Sequence, residues 1–400
     1  MLKNPKEFLA AAQAQQREML QWLKTLVEIE SPSENKAAVD QASQQVAAWM
    51  RALGGQIRWH RQKNFGDLLE ARFAAQPMPK STQAQAGRRQ NRVRPILLLG
   101  HLDTVWPMGT LARMPFRKAK GKAFGPGIYD MKAGVAMATM ALRLLLEAGE
   151  LTTPVVLLLN SDEEVGSPCS RAVTEKLARE SSAVFVMEPA QGPQGAYKTA
   201  RKGVGQYQLH VEGVAAHSGV DFEKGHSAIV ELAGLIERVA GFTNLKTGLT
   251  MNPGVIAGGT RSNVVAAEAT VEVDVRIARR QDAARVERMF RGLHTRDNAC
   301  RLQVSGGINR PPMERTKSTV KLFEQAQALA AKMGFSLTEA STGGGSDGNF
   351  TSALGIPTLD GMGAVGEGAH AAHESVEIEQ LAYRTALLAA MIGSPENRNL

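Results

Sequence analysis

PILLLGHLD, residues 95–103, and VVLLLNSDEE, residues 155–164, share one design: an unbroken apolar run, then an abrupt cluster of polar and acidic groups. AVFVMEP, residues 183–189, repeats it with Glu188 at the exit. Strands buried on both faces read as continuous apolar runs, the mark of a parallel sheet covered by helices. Helical patterns separate these runs, from about Lys132 to Ala148 with Gly149 after it, and near Arg171–Arg179. Strands alternating with helices predict an α/β sheet. Ligands of open parallel sheets bind beyond the carboxyl ends of strands. His101, Asp103, Asp162, Glu163, Glu164 and Glu188 are therefore expected to face one crevice.

Upstream, Ser31 or Ser33 is expected to cap a helix from about Glu34 to Leu53, stopped by Gly54-Gly55. Strand signals follow at Asp67–Phe73 and Pro95–Leu99. The middle of the chain changes character. Gly205–Val214 alternates, Ala228–Val239 is helical, Asn263–Ile277 alternates over a long stretch, Arg280–Leu293 is helical, and Arg301–Val304 is a short strand. This βαββαβ-like order predicts an inserted α+β domain whose sheet is half exposed. After Pro311-Pro312 the α/β pattern resumes, with a helix over about Ser318–Met333, the turn STGGGSDGN (341–349) and a final helix near Ile378–Ile392.

The chain has 400 residues, 43% of them hydrophobic and 22% charged, which excludes collagenous, disordered and disulfide-framework classes. No apolar run approaches the roughly 18–20 residues of a membrane span, and the first residues lack a signal-peptide core. Two cysteines, Cys169 and Cys300, suit a reducing cytoplasm. Lys80, Arg88, Arg89, Arg92 and Arg94 supply +5 of the formal +8. That concentration in 76–95 reads as a solvated loop between strands, and no nucleic-acid-binding module accompanies it.

A single histidine after a strand is more often a hydrogen-bonded cap than a ligand. Asp130 in GPGIYDMKAG could cap the next helix, and Glu188 could face water. Three strand ends sharing the pattern weaken those readings together, because gathered carboxylates repel unless cations neutralise them. Histidine, aspartate and glutamate suit Zn²⁺, Mn²⁺ or Co²⁺, and the lack of cysteine among them argues against a structural zinc site. Gly343, Gly345 and Gly348 fit a dinucleotide-binding spacing but open no βαβ unit. Ser33-x-x-Lys36 has no partner motif, and no serine-hydrolase elbow appears.

GHLDTV (100–105), GPGIYDMKAG (125–134), SDEEVGS (161–167), MEPA (187–190), AHSG (216–219) and GEGAHAAHE (366–374) occur in an order that resembles the M20 co-catalytic metallopeptidases, and most the glutamate-carboxypeptidase (carboxypeptidase G2-like) branch. The resemblance implies a metal-dependent exopeptidase-type catalytic domain with a mixed, mostly parallel sheet over residues 1–201 and 309–400. A ferredoxin-like lid and dimerisation domain would be inserted at 202–308. It implies two divalent ions, zinc foremost and cobalt or manganese as alternatives, ~3.5–4 Å apart and sharing a water. His101 and Glu188 would hold the first, Glu164 and His370 the second, and Asp130 both. Asp103 would orient His101, Glu163, beside a ligand in sequence but pointing elsewhere, would be the general base that takes the proton of the shared water, and the bond after Asp130 would be cis. His217 would reach the partner subunit's site in a homodimer and stabilise an oxyanion. Asn263, Arg276, Arg310, Gly344 and Gly345 would line the substrate site, Arg310 by holding a carboxylate. The family usually has an acid or Asn three positions after the last ligand histidine, where this chain has His373.

The expected reaction is amide hydrolysis on a small peptide or N-acyl amino acid, releasing a C-terminal amino acid such as glutamate. The same site would serve an N-acyl-amino-acid deacylase or an N-carbamoyl hydrolase. A non-catalytic peptide- or amino-acid-binding protein of the same fold is the alternative from another class. Neither a nucleic acid nor a membrane is an expected partner.

Overall fold

The computed structural model describes residues 4–76 and 93–394. Most of the basic 76–95 stretch thus lies outside the described residues. By internal contacts the chain divides into two compact units. One comprises Met1–Ala200, Arg315–Thr342 and Ser346–Leu400, and the other Arg201–Glu314 with Gly343–Gly345.

The strands, in chain order, are β1 (Gln56–His60), β2 (Leu68–Phe73), β3 (Ile96–His101), β4 (Arg117–Ala119), β5 (Lys122–Phe124), β6 (Val155–Asn160), β7 (Ala183–Val186), β8 (Tyr197–Arg201), β9 (Gly203–Glu212), β10 (Thr250–Gly258), β11 (Glu268–Ile277), β12 (Arg301–Arg310), β13 (Glu339–Thr342), β14 (Thr358–Leu359), β15 (Gly366–Glu367) and β16 (Ser375–Glu377). The first unit is built on a six-stranded sheet ordered β1-β2-β6-β3-β7-β14. β6, β3, β7 and β14 run parallel, while β1 and β2 are antiparallel additions. This is the mixed, mostly parallel sheet read from the sequence.

Every residue of β3, β6 and β7 is buried. Their side chains alternate between two cores. Ile96 and Leu98 pack with Leu142 and Leu387, while Leu97, Leu99, Val156 and Leu158 pack with Leu177 on the other face. Each such leucine contributes about 1.5–3 kcal/mol, and with both faces covered, polar side chains are driven to the strand ends. The helix Ala133–Ala148 is apolar on almost every side and ends at Gly149, whose φ of +70° closes it in the left-handed conformation. Its start presses on the exit of β7: a Cβ at Gly134 would lie 2.1 Å from the Met187 carbonyl oxygen. No described helix is long and apolar enough to cross a membrane.

The helix expected from Glu34 runs from Lys36 to Ala52, and Asn35 caps it through its side chain. Neither serine does. Ser31 donates to the Leu102 carbonyl and Ser33 to the Asp103 carboxylate, each at 2.7 Å and buried.

The second unit is a four-stranded antiparallel sheet ordered β10-β11-β9-β12. Helices Ala228–Ala240 and Gln281–Arg291 follow β9 and β11, giving the βαββαβ ferredoxin-like arrangement. β11 alternates buried and accessible residues along its length. Leu232, Leu235, Val286 and Phe290 close its covered face, with Phe290 stacked on Tyr207 at a centroid distance of 3.7 Å. The alternation from Asn263 becomes strand only at Glu268, and Val264 before it makes an isolated bridge to His217. β10 escaped sequence reading because Pro253 and Gly254 interrupt its alternation at a bulge. β12 runs to Arg310, well past the short strand expected.

Candidate metal centre

β3 ends at His101, and two residues later Asp103 is fully buried. β6 delivers Glu163 and Glu164 on a short turn, and β7 delivers Glu188 two residues past its end. The turn before helix Ala133–Ala148 supplies Asp130, and the peptide bond after it is cis, as the family resemblance implied. His370 comes from the loop between β15 and β16. All seven side chains belong to the first unit.

They converge. His101 Nε2 lies 3.3 Å from Asp130 Oδ1 and 3.5 Å from Glu188 Oε1. His370 Nε2 lies 3.5 Å from Asp130 Oδ2 and 3.2 Å from Glu164 Oε2. Asp130 thus stands between two imidazoles, one oxygen toward each. His101, Asp130 and Glu164 offer ligand atoms within 4.8 Å of one another, and so do His101, Glu163 and Glu188. Glu163 therefore reaches this pocket.

The pocket is acidic, with its His101 side buried and its His370 side exposed. His101 is 1% exposed and Glu188 6%. Burial pushes the His101 imidazole down, but the nearby Asp103, Asp130 and Glu188 carboxylates outweigh it and carry the group well above its ordinary value. Asp130 and Glu164 raise His370 to about 10. Burial would raise Asp130, yet the two imidazoles hold its carboxyl well below the usual range. Glu164 is pushed up, chiefly by burial. Burial, with the Asp130 charge, pushes the Tyr129 hydroxyl up to about 12, and it donates to the Ala190 carbonyl.

His101 Nε2, Asp130 Oδ1 and Glu164 Oε1 are buried and make no hydrogen bond. Orphaned acceptors this close together are costly unless something positive satisfies them. Imidazole nitrogen and carboxylate oxygen are the donor set of zinc and neighbouring divalent cations, so these residues fit such a centre.

The support beneath the pocket is only partly legible in sequence. Asp103 faces the His101 imidazole, with Nδ1 at 3.4 Å from its carboxylate and 2.9 Å from its carbonyl oxygen. Its carboxylate also accepts the Glu163 and Glu164 N–H groups at 3.2 and 3.1 Å. Ser33, expected only as a helix cap, instead donates to the Asp103 carboxylate, and Glu374 carried no expected role. Glu374 ends the GEGAHAAHE motif, but nothing in the sequence gives it a role, because an acid before a short strand reads as solvated, whereas it is buried beneath Asp130. His373 is exposed and lies against Gly368.

The remaining candidates belong to the second unit and fall into two groups. Arg276 and Arg310 both pair across Val204 at the start of β9. Arg276 holds Asp274 through two hydrogen bonds of 2.8 Å and reaches the Gly343 carbonyl at 3.3 Å. Arg310 is buried, and a Cβ at Gly345 would lie 3.0 Å from its side chain. Arg201 donates to the Gly344 and Gly345 carbonyls. His217 and Asn263 lie past the other end of β9, joined by a bridge from His217 to Val264 and a bond from the Ser218 N–H to the Asn263 carbonyl. Both are exposed. Val204 to Glu212 spans about 26 Å of strand, so the fold does not bring His217 and Asn263 to Arg276 and Arg310.

The chain's residues 97–394 match the model of peptidase family M20/M25/M40. It belongs to that family. Membership makes it a metallopeptidase-type hydrolase and implies a two-metal centre. Carboxypeptidase G2 of Pseudomonas sp. (strain RS-16) is 29% identical over 395 residues, covering 98% of this chain and 92% of that protein. The fold is also that of aminopeptidase PepT from Bacillus cereus ATCC 10987, at a TM-score of 0.75 and 22% identity, over 94% of this chain and 98% of that one. The M20 family metallo-carboxypeptidase Sso-CP2 from Sulfolobus solfataricus matches at a TM-score of 0.72 and 17% identity, over 96% and 100%.

Proposed function

We propose that this M20 hydrolase is a carboxypeptidase that releases a C-terminal amino acid, such as glutamate, from a small peptide or N-acyl substrate. The observation that carries the reading is Asp130, with one oxygen toward His101 at 3.3 Å, the other toward His370 at 3.5 Å, and its Oδ1 buried without a hydrogen bond. In this reading His101 and Glu188 hold one divalent ion, Glu164 and His370 a second, and Asp130 both. Zinc is the metal proposed, with cobalt or manganese able to replace it. When bound, the pair would polarise the scissile carbonyl and make a water acidic enough to attack near neutral pH.

The chain's own residues do the rest. Asp103 fixes the His101 ring and, through its bonds to the Glu163 and Glu164 N–H groups, the turn that carries both glutamates. Glu163 accepts the proton of the attacking water and returns it to the leaving amine. Its carboxylate lies within 4.8 Å of the His101 and Glu188 ligand atoms, which supports that role. Arg310 holds the substrate carboxylate, with the N–H groups of Gly344 and Gly345 beside it. Arg276 lines the same end while its guanidinium stays on Asp274.

His217 and Asn263 serve the site of a second copy, His217 by stabilising the oxyanion. Their separation from Arg276 and Arg310 along β9 supports this assignment. The insert is the proposed dimer surface, where Val255 and Ile256 on edge strand β10 are 58% and 62% exposed. The two cysteines are free, which suits a cytoplasmic location.

A panel of C-terminal glutamate dipeptides, N-acyl and N-carbamoyl amino acids, assayed with and without chelator, tests the reading. Chelator-sensitive release of the C-terminal residue is expected. Preference for N-acyl or N-carbamoyl substrates would reassign it within the family, and no turnover of any would leave a binding protein. Glu163→Ala should lower kcat by roughly 10²–10⁴-fold with metal content unchanged. Normal turnover in that variant would remove the base assignment.

A further inference from the structure

Glu374 takes no part in the reaction just proposed, yet it is 1% exposed and its carboxylate is saturated with donors. Oε1 accepts the Tyr129 N–H at 2.8 Å and the Asp130 N–H at 3.1 Å. Oε2 accepts the Gly127 N–H at 2.9 Å and the Trp106 indole N–H at 2.8 Å. A carboxylate offers about four acceptor positions, and here all are used. The convergent N–H groups of the 127–130 turn form a nest for an anion, and Glu374 fills it.

The donors come from separate ligand-bearing segments. Trp106 lies five residues after His101, on the same excursion from β3. Gly127, Tyr129 and Asp130 form the turn that presents the Asp130 carboxylate. Glu374 itself lies four residues after His370, and the segment between is folded by bonds from the Ala371 N–H to the Gly368 carbonyl and from the Glu374 N–H to the Ala371 carbonyl. His370 sits at a φ of +61°. That left-handed conformation is uncommon for a non-glycine residue.

We infer that Glu374 is a positioning residue that pins the His101, Asp130 and His370 segments to one another and so sets the spacing of the two-metal centre. It touches neither substrate nor reacting atoms. The inference rests on the proposed ligation by Asp130 and His370. In Glu374→Gln an amide NH₂ replaces one acceptor, so donor meets donor at whichever pair of N–H groups it faces. In Trp106→Phe the carboxylate keeps the three backbone bonds and loses one.

The test measures Zn²⁺ affinity of the full chain against a chromogenic chelator, the visible absorption of the Co²⁺-loaded protein, and the far-UV spectrum and Tm of the metal-free protein. Glu374→Gln is expected to keep its secondary structure, to bind Zn²⁺ roughly 10–100-fold more weakly, and to shift the Co²⁺ bands. Trp106→Phe should do the same to a lesser degree. A lowered metal-free Tm with Zn²⁺ affinity within twofold of the parent and unchanged Co²⁺ bands would show a merely structural role and overturn the inference. If Glu374→Gln does not fold, Trp106→Phe decides by the same two readouts. Asp130→Ala separates the two levels. Loss of Zn²⁺ there, with parental binding in both other variants, removes the positioning role alone, whereas parental binding in Asp130→Ala removes the metal reading and this inference with it.

Discussion

β6 and β11 are both rich in valine, and they treat charge in opposite ways. β6 is covered on both faces, so its polar residues stand at its exit, where Asp162 is buried and Glu163 and Glu164 are half-buried. β11 is covered on one face, so Glu268 and Glu272 sit along its length on the accessible side. A solvated carboxylate costs little and implies little. A buried one must be satisfied by hydrogen bonds, by a proton or by a cation, and Asp130 Oδ1 and Glu164 Oε1 have no hydrogen bond. The comparison teaches where to look for chemistry: at the ends of the doubly covered sheet, not along the acidic face of the insert.

The sharpest way to break that contrast is Phe290→Ala. The ring stacks on Tyr207 in the core of the insert, and its loss should cost about 3–5 kcal/mol. Calorimetry should show that destabilisation while Zn²⁺ affinity changes less than twofold. A comparable fall in Zn²⁺ affinity would mean that the insert's core supports the centre after all.

Gly134→Ala probes the other side at about 1–3 kcal/mol. The added Cβ meets the Met187 carbonyl at the strand exit beside Glu188, so the helix start must shift. Here metal affinity should fall together with Tm. A drop in Tm alone would show that the exit of β7 tolerates displacement.

The smallest expected effect is on pH. Asp67, beside β2, is buried, which pushes its carboxyl up, but bonds from Lys36, the Gln62 N–H and Arg61 outweigh burial and hold it below the usual range. The stability it supplies is present above the unfolded carboxylate value of about 3.9 and is lost as pH falls through the lower folded value. A profile of Tm against pH should flatten on its acid side in Asp67→Asn. An unchanged acid limb would show that carboxylates elsewhere in the molecule set it.

Legibility followed physical range. The three apolar runs and their polar exits were readable because burial on both faces leaves a continuous signature within a strand. The insert's order was readable from alternation, except at β10, where Pro253 and Gly254 interrupt it. The cap of helix Lys36–Ala52 was misplaced because Ser33 has a better acceptor, Asp103, seventy residues away. Nothing near Glu374 in the chain announces that its partners are Trp106 and the 127–130 turn.

The sequence by itself determined the element types, the strand exits that carry the acids and histidines, and, through six ordered motifs, the family. Only the tertiary structure decided that Asp130 stands between His101 and His370, that Glu163 faces the same pocket, and that His217 and Arg310 lie at opposite ends of the insert's sheet. Local pattern records what each segment buries. Which buried groups meet is fixed by closing chain over tens to hundreds of residues, and no local pattern encodes that distance.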